Sequence, residues 1–246
     1  MDVKNFASQN ALPIVALFTL LAIGASAITI SALKGVTGNS FTAFEFIGVL
    51  PAAFLGPFFG IITIVIAKAA SVIILSQPLD LTTLLRFLPP IFAAYFFATY
   101  KKENKGSGTM QTAIPHSRII QIAVPLACIA LFIAHPIGSQ AWLFSLYWLI
   151  PPILAILPQE HLFLRSLGTT FTQHAIGGVI WIYFVNPLTP AAWLALIPIV
   201  AGERLLFAAG MSASYVAINA ALSRVSYLAH SRYIKIAPLP FAKKKN

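Results

Sequence analysis

Charged side chains are scarce in this chain, and acidic ones are the scarcest. Of its 246 residues only 9% are charged, and six are Asp or Glu. Hydrophobic residues make up 59% of the chain, and the mean hydropathy is +0.86. Polar side chains are too few to cover a water-soluble core of this size. The composition therefore excludes a soluble globular protein and predicts an integral membrane protein whose main solvent is lipid.

The chain also has few groups that could carry out catalysis. Its single cysteine, Cys128, lies inside an apolar run, cannot form an intramolecular disulfide, and is interpreted as a small buried hydrophobic residue. The five histidines form no His-Glu-x-x-His motif and no pair four residues apart. There is no Gly-x-Ser-x-Gly elbow and no glycine-rich phosphate loop. We therefore expect no enzymatic activity, no metal and no cofactor.

The net charge of +10 is concentrated at the ends of apolar segments. One basic cluster flanks the loop from Lys101 to Arg118, and the other lies in the C-terminal tail, residues 227–246. Such clusters determine topology by the positive-inside rule and contact anionic lipid headgroups. No basic face with interleaved aromatic residues exists outside the apolar spans, so nucleic acid is not an expected partner.

The apolar runs predict a polytopic helix bundle with about eight transmembrane helices. In hydrocarbon, backbone polar groups must be bonded internally, so each long run is predicted to be helical. Glycine and proline turn signals mark the boundaries. The predicted helices span about residues 11–33, 41–55, 56–75, 84–100, 118–134, 141–157, 161–184 and 191–226. We expect Pro151 and Pro152 to kink the sixth helix.

About eight crossings place both termini on the same side of the membrane. If that side is the cytoplasm, the basic loop, Arg165 and the basic tail all lie inside. The charged residues left outside are then Lys34, Glu45, Asp80 and Arg86. The charge bias thus predicts a multi-pass cell-membrane protein with cytoplasmic N- and C-termini. Residues 1–246 form a single membrane domain, without a separate soluble domain.

Two stretches of sequence resemble a transporter family. The run from Pro51 to Gly60 (Pro-Ala-Ala-Phe-Leu-Gly-Pro-Phe-Phe-Gly), followed by an apolar helix that carries Lys68, resembles the substrate-binding (S) components of energy-coupling-factor (ECF) vitamin transporters. In those proteins a short second helix ends in a Gly-Pro turn near the cytoplasm, and a third helix returns outward. The segment from Phe87 to Tyr100, with the basic loop after it, is similar to the family's fourth helix and cytoplasmic loop.

The segment from His174 to Trp181 is similar to the fifth helix of thiamin-type S components. There a histidine, a glycine one turn later and an outer aromatic pair precede a proline-containing turn. The resemblance covers about residues 11–100 and 167–226, and the S-component-like core is placed at residues 11–100 and 161–226. S components usually have six helices, so residues 118–157 are interpreted as a helical hairpin inserted into an S-component-like core.

The resemblance implies that the protein captures a small vitamin or heterocyclic precursor from outside for ATP-driven uptake. Since the chain has no nucleotide-binding loop, the energy would come from partners, a membrane-embedded coupling subunit and two cytoplasmic ATPase subunits. Two alternatives stay open. One is a self-sufficient secondary transporter or channel that couples ions through Lys68 and Glu203. The other is a non-transporting membrane scaffold.

Small residues suggest where a partner could pack. Many S components carry Ala-x-x-x-Ala on their first helix, whereas this chain has only Ala22-x-x-x-Ser26 there. A longer stripe lies on the last predicted helix and consists of Ala209, Ala213, Ala217 and Ala221. Small residues let helix backbones approach closely in lipid, where packing drives association. Packing within the bundle and a partner interface are both possible interpretations of this alanine stripe.

Ionisable residues inside apolar spans are costly, so each is a candidate site residue. Lys68 lies in the third predicted helix, and Glu203 and Arg204 lie in the last. Adjacent helix positions point about 100° apart. Glu203 is therefore predicted to face the bundle and to pair with Lys68 or a ligand cation, with Arg204 toward another polar partner. A structural ion pair that locks the bundle is the alternative.

The candidate ligand face lies on the seventh predicted helix. His174, Gly178 and Trp181 share one face, and Gly178 is predicted to leave space for a flat ring against the indole. Further candidate contacts are Gln173, Tyr183 and Asn186, together with Glu45 and Arg86 at the outer ends of the second and fourth helices. The alternative for Trp181 and Tyr183 is the interfacial aromatic belt, and for Glu45 and Arg86 simple solvation.

Overall fold

The computed structural model describes residues 11–32, 40–100, 116–157, 161–185, 188–224 and 234–236. Over these residues the chain is an all-α bundle with one two-stranded antiparallel β-hairpin. The predicted class, an all-α helix bundle, is therefore confirmed. Most of the basic loop and of the basic tail lies outside the described residues.

The order of elements follows the predicted runs, with additional breaks. Before the basic loop come α1 (Ala11–Ser26), β1 (Thr29–Ala32), β2 (Ser40–Thr42), α2 (Phe44–Ile47), α3 (Pro51–Leu55), α4 (Pro57–Ile74), α5 (Leu81–Leu85) and α6 (Leu88–Thr99). After it come α7 (His116–Ala134), α8 (Pro136–Gln140), α9 (Trp142–Ser145), a 3-10 helix (Leu146–Leu149), α10 (Ile150–Ile156), α11 (Leu162–Phe184), α12 (Pro190–Ala195) and α13 (Ile197–Arg224). Helix α11 packs against α6, α7, α10 and α13, so it connects most of the bundle.

Several helices are suited to a lipid environment. Within the described residues, four stretches are long and apolar enough to cross a membrane: Pro57–Ile74, Leu81–Thr99, His116–Ala134 and Ile197–Arg224. Shorter apolar helices lie at Pro13–Ser26, Phe44–Leu55 and Trp142–Ile156. These helices are compatible with a membrane protein. The count of about eight crossings is not confirmed, and the cytoplasmic side of the termini stays a prediction.

The first helix is shorter than predicted. It ends at Ser26 rather than near residue 33, and the chain continues into a β-hairpin in which Thr29 pairs with Thr42. The Ala43 amide donates to the Ile28 carbonyl at 2.8 Å and closes the hairpin onto α2. Ile28, Thr29 and Ile30 are three consecutive β-branched residues, which favour a strand over a helix. Hydropathy alone did not separate this strand from the helix before it.

Prolines divide three predicted helices. Pro89–Pro90 lie in the first turn of α6, and Pro151–Pro152 lie in the first turn of α10. A proline there loses no helical hydrogen bond, because the first-turn amides have no intrahelical partner. Pro151–Pro152 therefore lie in the first turn of a new α-helix after the 3-10 turn, and the kink stays a prediction. The last predicted helix divides at Leu196, just before Pro198.

The Gly-Pro turn between the second and third predicted helices is confirmed. Gly56 has a φ of +80°, in the left-handed region that favours glycine, and Pro57 begins α4. The backbones of α3 and α4 then lie in contact. A Cβ atom at Gly60 would lie 2.1 Å from the Cα atom of Ala52, so only glycine allows this close approach.

Residues 118–157 belong to the bundle core. Phe132, Phe144 and Trp148 are fully buried and pack in one hydrophobic cluster with Phe171 of α11. The ring centroids of Phe132 and Trp148 lie 5.1 Å apart in an edge-to-face contact. Cys128 is buried in the same cluster, as interpreted from the sequence. The segment interpreted as an inserted hairpin thus supplies side chains on which the rest of the bundle packs.

Candidate functional site

A cavity of about 440 Å³ lies at one end of the bundle. Its wall includes the β-hairpin, α2, the C-terminal ends of α1, α4 and α11, and the N-terminal ends of α6 and α13. The hydroxyl oxygens of Ser71 on α4 and Ser26 on α1 lie 3.4 Å apart, and each hydroxyl donates to the carbonyl four residues earlier in its own helix. The cavity is therefore formed by segments that are far apart in the sequence.

Most of the residues predicted to form a site line this one cavity. From α11 it receives Gln173, His174, Gly178 and Trp181, and from other elements Glu45, Lys68, Arg86 and Glu203. The sequence predicts Glu45 and Arg86 at the outer ends of the second and fourth helices, as contacts additional to the ligand face of the seventh. The structure joins the two sets in a single wall.

Two predicted contacts do not belong to this wall. Tyr183 is 43% exposed, and its hydroxyl donates to the Leu131 carbonyl at 2.8 Å. Its ring lies against His135, 5.0 Å between centroids, on the outer surface of the bundle. Asn186 lies outside the described residues. The position of Tyr183 favours the interfacial aromatic belt over a ligand contact.

The orientation of His174 is fixed by a buried tryptophan. The indole Nε1–H of Trp148 donates to the Nδ1 atom of His174 at 3.0 Å. An Nδ1 atom that accepts a hydrogen bond carries no proton, so a neutral imidazole bears its proton on Nε2. Phe144 packs on the same imidazole, 5.4 Å between ring centroids, and also lines the cavity. His174 therefore presents a hydrogen-bond donor.

The prediction that Gly178 leaves space for a ligand ring is wrong. A Cβ atom there would lie 2.5 Å from the Cζ2 atom of Trp148, so the indole already fills the space beside the glycine. The open position is the preceding one, because a Cβ atom at Gly177 would meet nothing within 4 Å. Helical spacing identified the correct region of α11. Which of the two glycines faces free space depends on the side chain of Trp148, which belongs to another segment of the chain.

Replacing each glycine with alanine should therefore have opposite effects on stability. Gly178→Ala forces the buried Trp148 ring to move, and overpacking of this kind costs about 1–3 kcal/mol. Gly177→Ala meets no neighbour and should stabilise the helix by about 0.5–1 kcal/mol. Thermal unfolding in detergent measures both. A lower unfolding temperature for Gly177→Ala than for Gly178→Ala would contradict this assignment.

Glu45 connects α2 to the cavity wall of α11. The Gln173 side-chain amide donates to Glu45 Oε2 at 2.7 Å. The Glu45 carboxylate also interacts electrostatically with Arg204 and Lys68. The Lys68 ammonium lies 5.7 Å from the centroid of the Phe44 ring and interacts electrostatically with Glu45 and Arg86. Glu45 is thus a carboxylate that interacts with Lys68, and the pairing of Lys68 with Glu203 stays a prediction.

Glu203 and Arg204 face the same cavity, although they were predicted to point apart. Arg204 Nη2 lies 3.7 Å from Glu203 Oε2, and the Arg204 side chain is only 1% exposed. Its guanidinium carbon lies 4.6 Å from the Phe41 ring centroid and 4.5 Å from that of Phe207. The angle of about 100° between adjacent positions applies to the direction in which each side chain leaves the helix. The long side chains of Glu203 and Arg204 then bend toward the same cavity.

The sequence carried no signal for a group of aromatic residues in the cavity wall. The wall residues without a predicted role include Phe41, Phe44, Phe144, Gly177 and Trp193. Arg204 also lines the cavity, and its intramembrane charge had made it a candidate, because a buried cation needs partners. The aromatic residues gave no such signal, since an apolar sequence does not indicate which rings face an internal space.

The alanine stripe of the last predicted helix lies on the outside of the bundle. Ala209, Ala213, Ala217 and Ala221 are all exposed on α13. The opposite face of α13 buries Arg204, Phe207, Ala208 and Met211. Packing inside the bundle is therefore not the role of these alanines.

Comparisons of this chain with protein-family models, with curated proteins and with solved structures find no match. The resemblance to S components thus stays a prediction from the motifs. Arguments about function consequently rest on the cavity, its chemistry and the surface of the bundle.

Proposed function

We propose that the protein is the membrane-embedded substrate-binding component of an ECF-type transporter, which captures a small vitamin-like or heterocyclic ligand from outside. The observation that carries the proposal is the cavity of about 440 Å³ with aromatic walls and several convergent polar groups. Small-molecule sites have this size and this mixture of apolar surface with a few directional polar contacts. Eight residues selected from the sequence alone line it, which supports a ligand site over a chance void.

The position of the cavity supports capture from outside. Arg86 and Pro90 line it at the beginning of α6, while the basic loop follows the end of α6 at Thr99. A helix of this length separates its two ends by roughly 18 Å. If the basic loop is cytoplasmic under the positive-inside rule, the cavity lies toward the outer face. An extracellular ligand would then enter the cavity without crossing the bilayer.

Energy for uptake would come from a coupling subunit and cytoplasmic ATPase subunits. The sequence contains no phosphate-binding loop of its own, so ATP hydrolysis requires a partner. The exposed alanines of α13 offer a surface on which a second membrane protein can pack closely. We assign the coupling subunit to this surface.

The proposal is tested by comparing uptake with and without partners. Epitope-tagged protein, expressed at native level in its own cells, should co-purify ATPase subunits, and uptake by liposomes that contain this complex should require ATP. Liposomes with the protein alone should bind the ligand without concentrating it. Ion-gradient-driven uptake by the protein alone would contradict the proposal and favour a secondary transporter. Absence of both ligand binding and uptake would favour a membrane scaffold.

A further inference from the structure

The cavity wall contains buried hydrogen-bond donors that have no acceptor. In the described part of the chain, the buried side-chain nitrogen and oxygen atoms without a partner belong to Thr19, Trp181, Trp193 and Arg204. All of these except Thr19 line the cavity. The unpaired atoms in the wall are Nε1 of both indoles and Nε and Nη2 of Arg204, and every one of them is a donor. Buried donors are normally paired. Each of these atoms has almost no accessible surface, so a ligand acceptor reaches it only when a covering side chain of the wall moves.

Arg204 presents these donors in a specific geometry. Its Nη1 atom donates to the Thr170 hydroxyl at 3.4 Å, and the centroids of the Phe41 and Phe207 rings lie 4.6 Å and 4.5 Å from the guanidinium carbon. The nearest Glu203 oxygen is 3.7 Å from Nη2, beyond hydrogen-bond distance. The edge that remains carries Nε and Nη2, whose two N–H groups point in parallel. Two oxygens of one carboxylate match this edge in a bidentate pair.

The charges around the cavity favour a single negative charge on the ligand. Among the residues that the structure describes, the cationic side chains in its wall are Lys68, Arg86 and Arg204, and the acidic ones are Glu45 and Glu203. With His174 neutral, this described wall carries one more positive than negative charge. A monoanion balances this excess, whereas a cationic ligand would increase it and would face the unpaired donors.

We infer that the ligand is a carboxylic acid whose carboxylate binds the Nε–Nη2 edge of Arg204, while Trp181 and Trp193 donate their indole N–H groups to further acceptors. This inference rests on the proposed function, because it specifies the ligand of the same cavity. It replaces the sequence-based expectation that Glu203 selects a ligand cation. Glu203 instead lies beside Arg204 and holds the guanidinium within the wall.

Matched acids and amides test the inference. Purified protein in detergent is titrated with nicotinate and nicotinamide, with indole-3-acetate and indole-3-acetamide, and with the small molecule that mass spectrometry identifies in the purified protein. We expect the retained molecule to carry a carboxylate, and acids to bind at least tenfold more tightly than their amides. A retained molecule without an acidic group, or amides that bind as tightly as acids, would overturn the inference while leaving the proposed function intact. Failure of every probe, with no retained molecule, would overturn both.

Substitution of Arg204 then locates the carboxylate. Arg204→Lys keeps the charge but removes the paired donors, so the acid should lose at least tenfold in affinity and the amide should bind as before. Thr170→Val is the matched control, because it removes the neighbour of Nη1 and leaves the Nε–Nη2 edge in place. Gel filtration and thermal unfolding in detergent verify that each variant is folded. If Arg204→Lys fails this check, Arg204→Gln is used with the same expectation. Unchanged preference for acids in a folded Arg204 variant would overturn the assignment.

Discussion

Replacing Ala213 with leucine should abolish uptake by the assembled transporter while leaving the ligand affinity of the isolated protein near normal. Ala213 is exposed on α13, on the face opposite the buried one, so the larger side chain would project away from the described bundle. On the proposed coupling surface it would separate two helix backbones whose association in lipid depends on close packing. Uptake is measured in liposomes that contain the complete complex, and affinity is measured with the isolated protein in detergent.

Ala127→Leu is the matched control for this substitution. Ala127 is also an exposed alanine, but it lies on α7, away from the alanine stripe. We expect this variant to transport like the wild type. Normal uptake by Ala213→Leu would exclude the stripe as the coupling surface. Loss of ligand binding or of folding would show instead that the residue acts within the bundle.

Trp181→Ala should weaken ligand binding tenfold to a hundredfold. Trp181 lines the cavity, is only partly exposed, and has an unpaired indole N–H. Loss of one aromatic stacking platform costs about 1–3 kcal/mol, which corresponds to roughly one to two orders of magnitude in Kd. Calorimetric titration with the retained molecule measures the change. The same molecule should quench tryptophan fluorescence in the wild type and quench it less in the variant.

Trp142→Ala serves as the control for Trp181→Ala. Trp142 is 47% exposed and is not part of the cavity wall, so its removal should leave Kd unchanged. If Trp181→Ala and His174→Ala both bind with wild-type affinity, this part of α11 does not contact the ligand. Trp181 would then belong to the interfacial aromatic belt, as the sequence alone also allowed.

Sequence patterns predicted the helices best where a long apolar run ended in a strong turn signal. Helix α11 begins and ends within a residue of its predicted bounds, and the turn at Gly56 lies where it was expected. Prolines were interpreted less well, because Pro151–Pro152 can kink a helix or begin one. The side chains around them decide between these outcomes, and those neighbours come from other segments.

The site was predicted as a set of residues but not as a set of contacts. Intramembrane charge singled out Lys68, Glu203 and Arg204, which all lie on the cavity. Two partners were not predicted, because Lys68 interacts with Glu45 and Glu203 lies beside Arg204. Helical spacing gives the direction of a side chain but does not identify the opposite wall. Only the folded chain brings Trp148 against α11 and Phe41 over the guanidinium.

The claim that this cavity holds a small ligand is tested most directly by filling it. Gly177 lines the cavity, and a Cβ atom there would meet nothing within 4 Å, so Gly177→Phe is the substitution chosen to introduce a ring into the free space. Small molecules are extracted from equal amounts of folded wild type and Gly177→Phe and quantified by mass spectrometry. We expect one compound at close to one equivalent in the wild type and almost none in the variant. Equal amounts in both proteins would contradict the assignment of the ligand to this cavity.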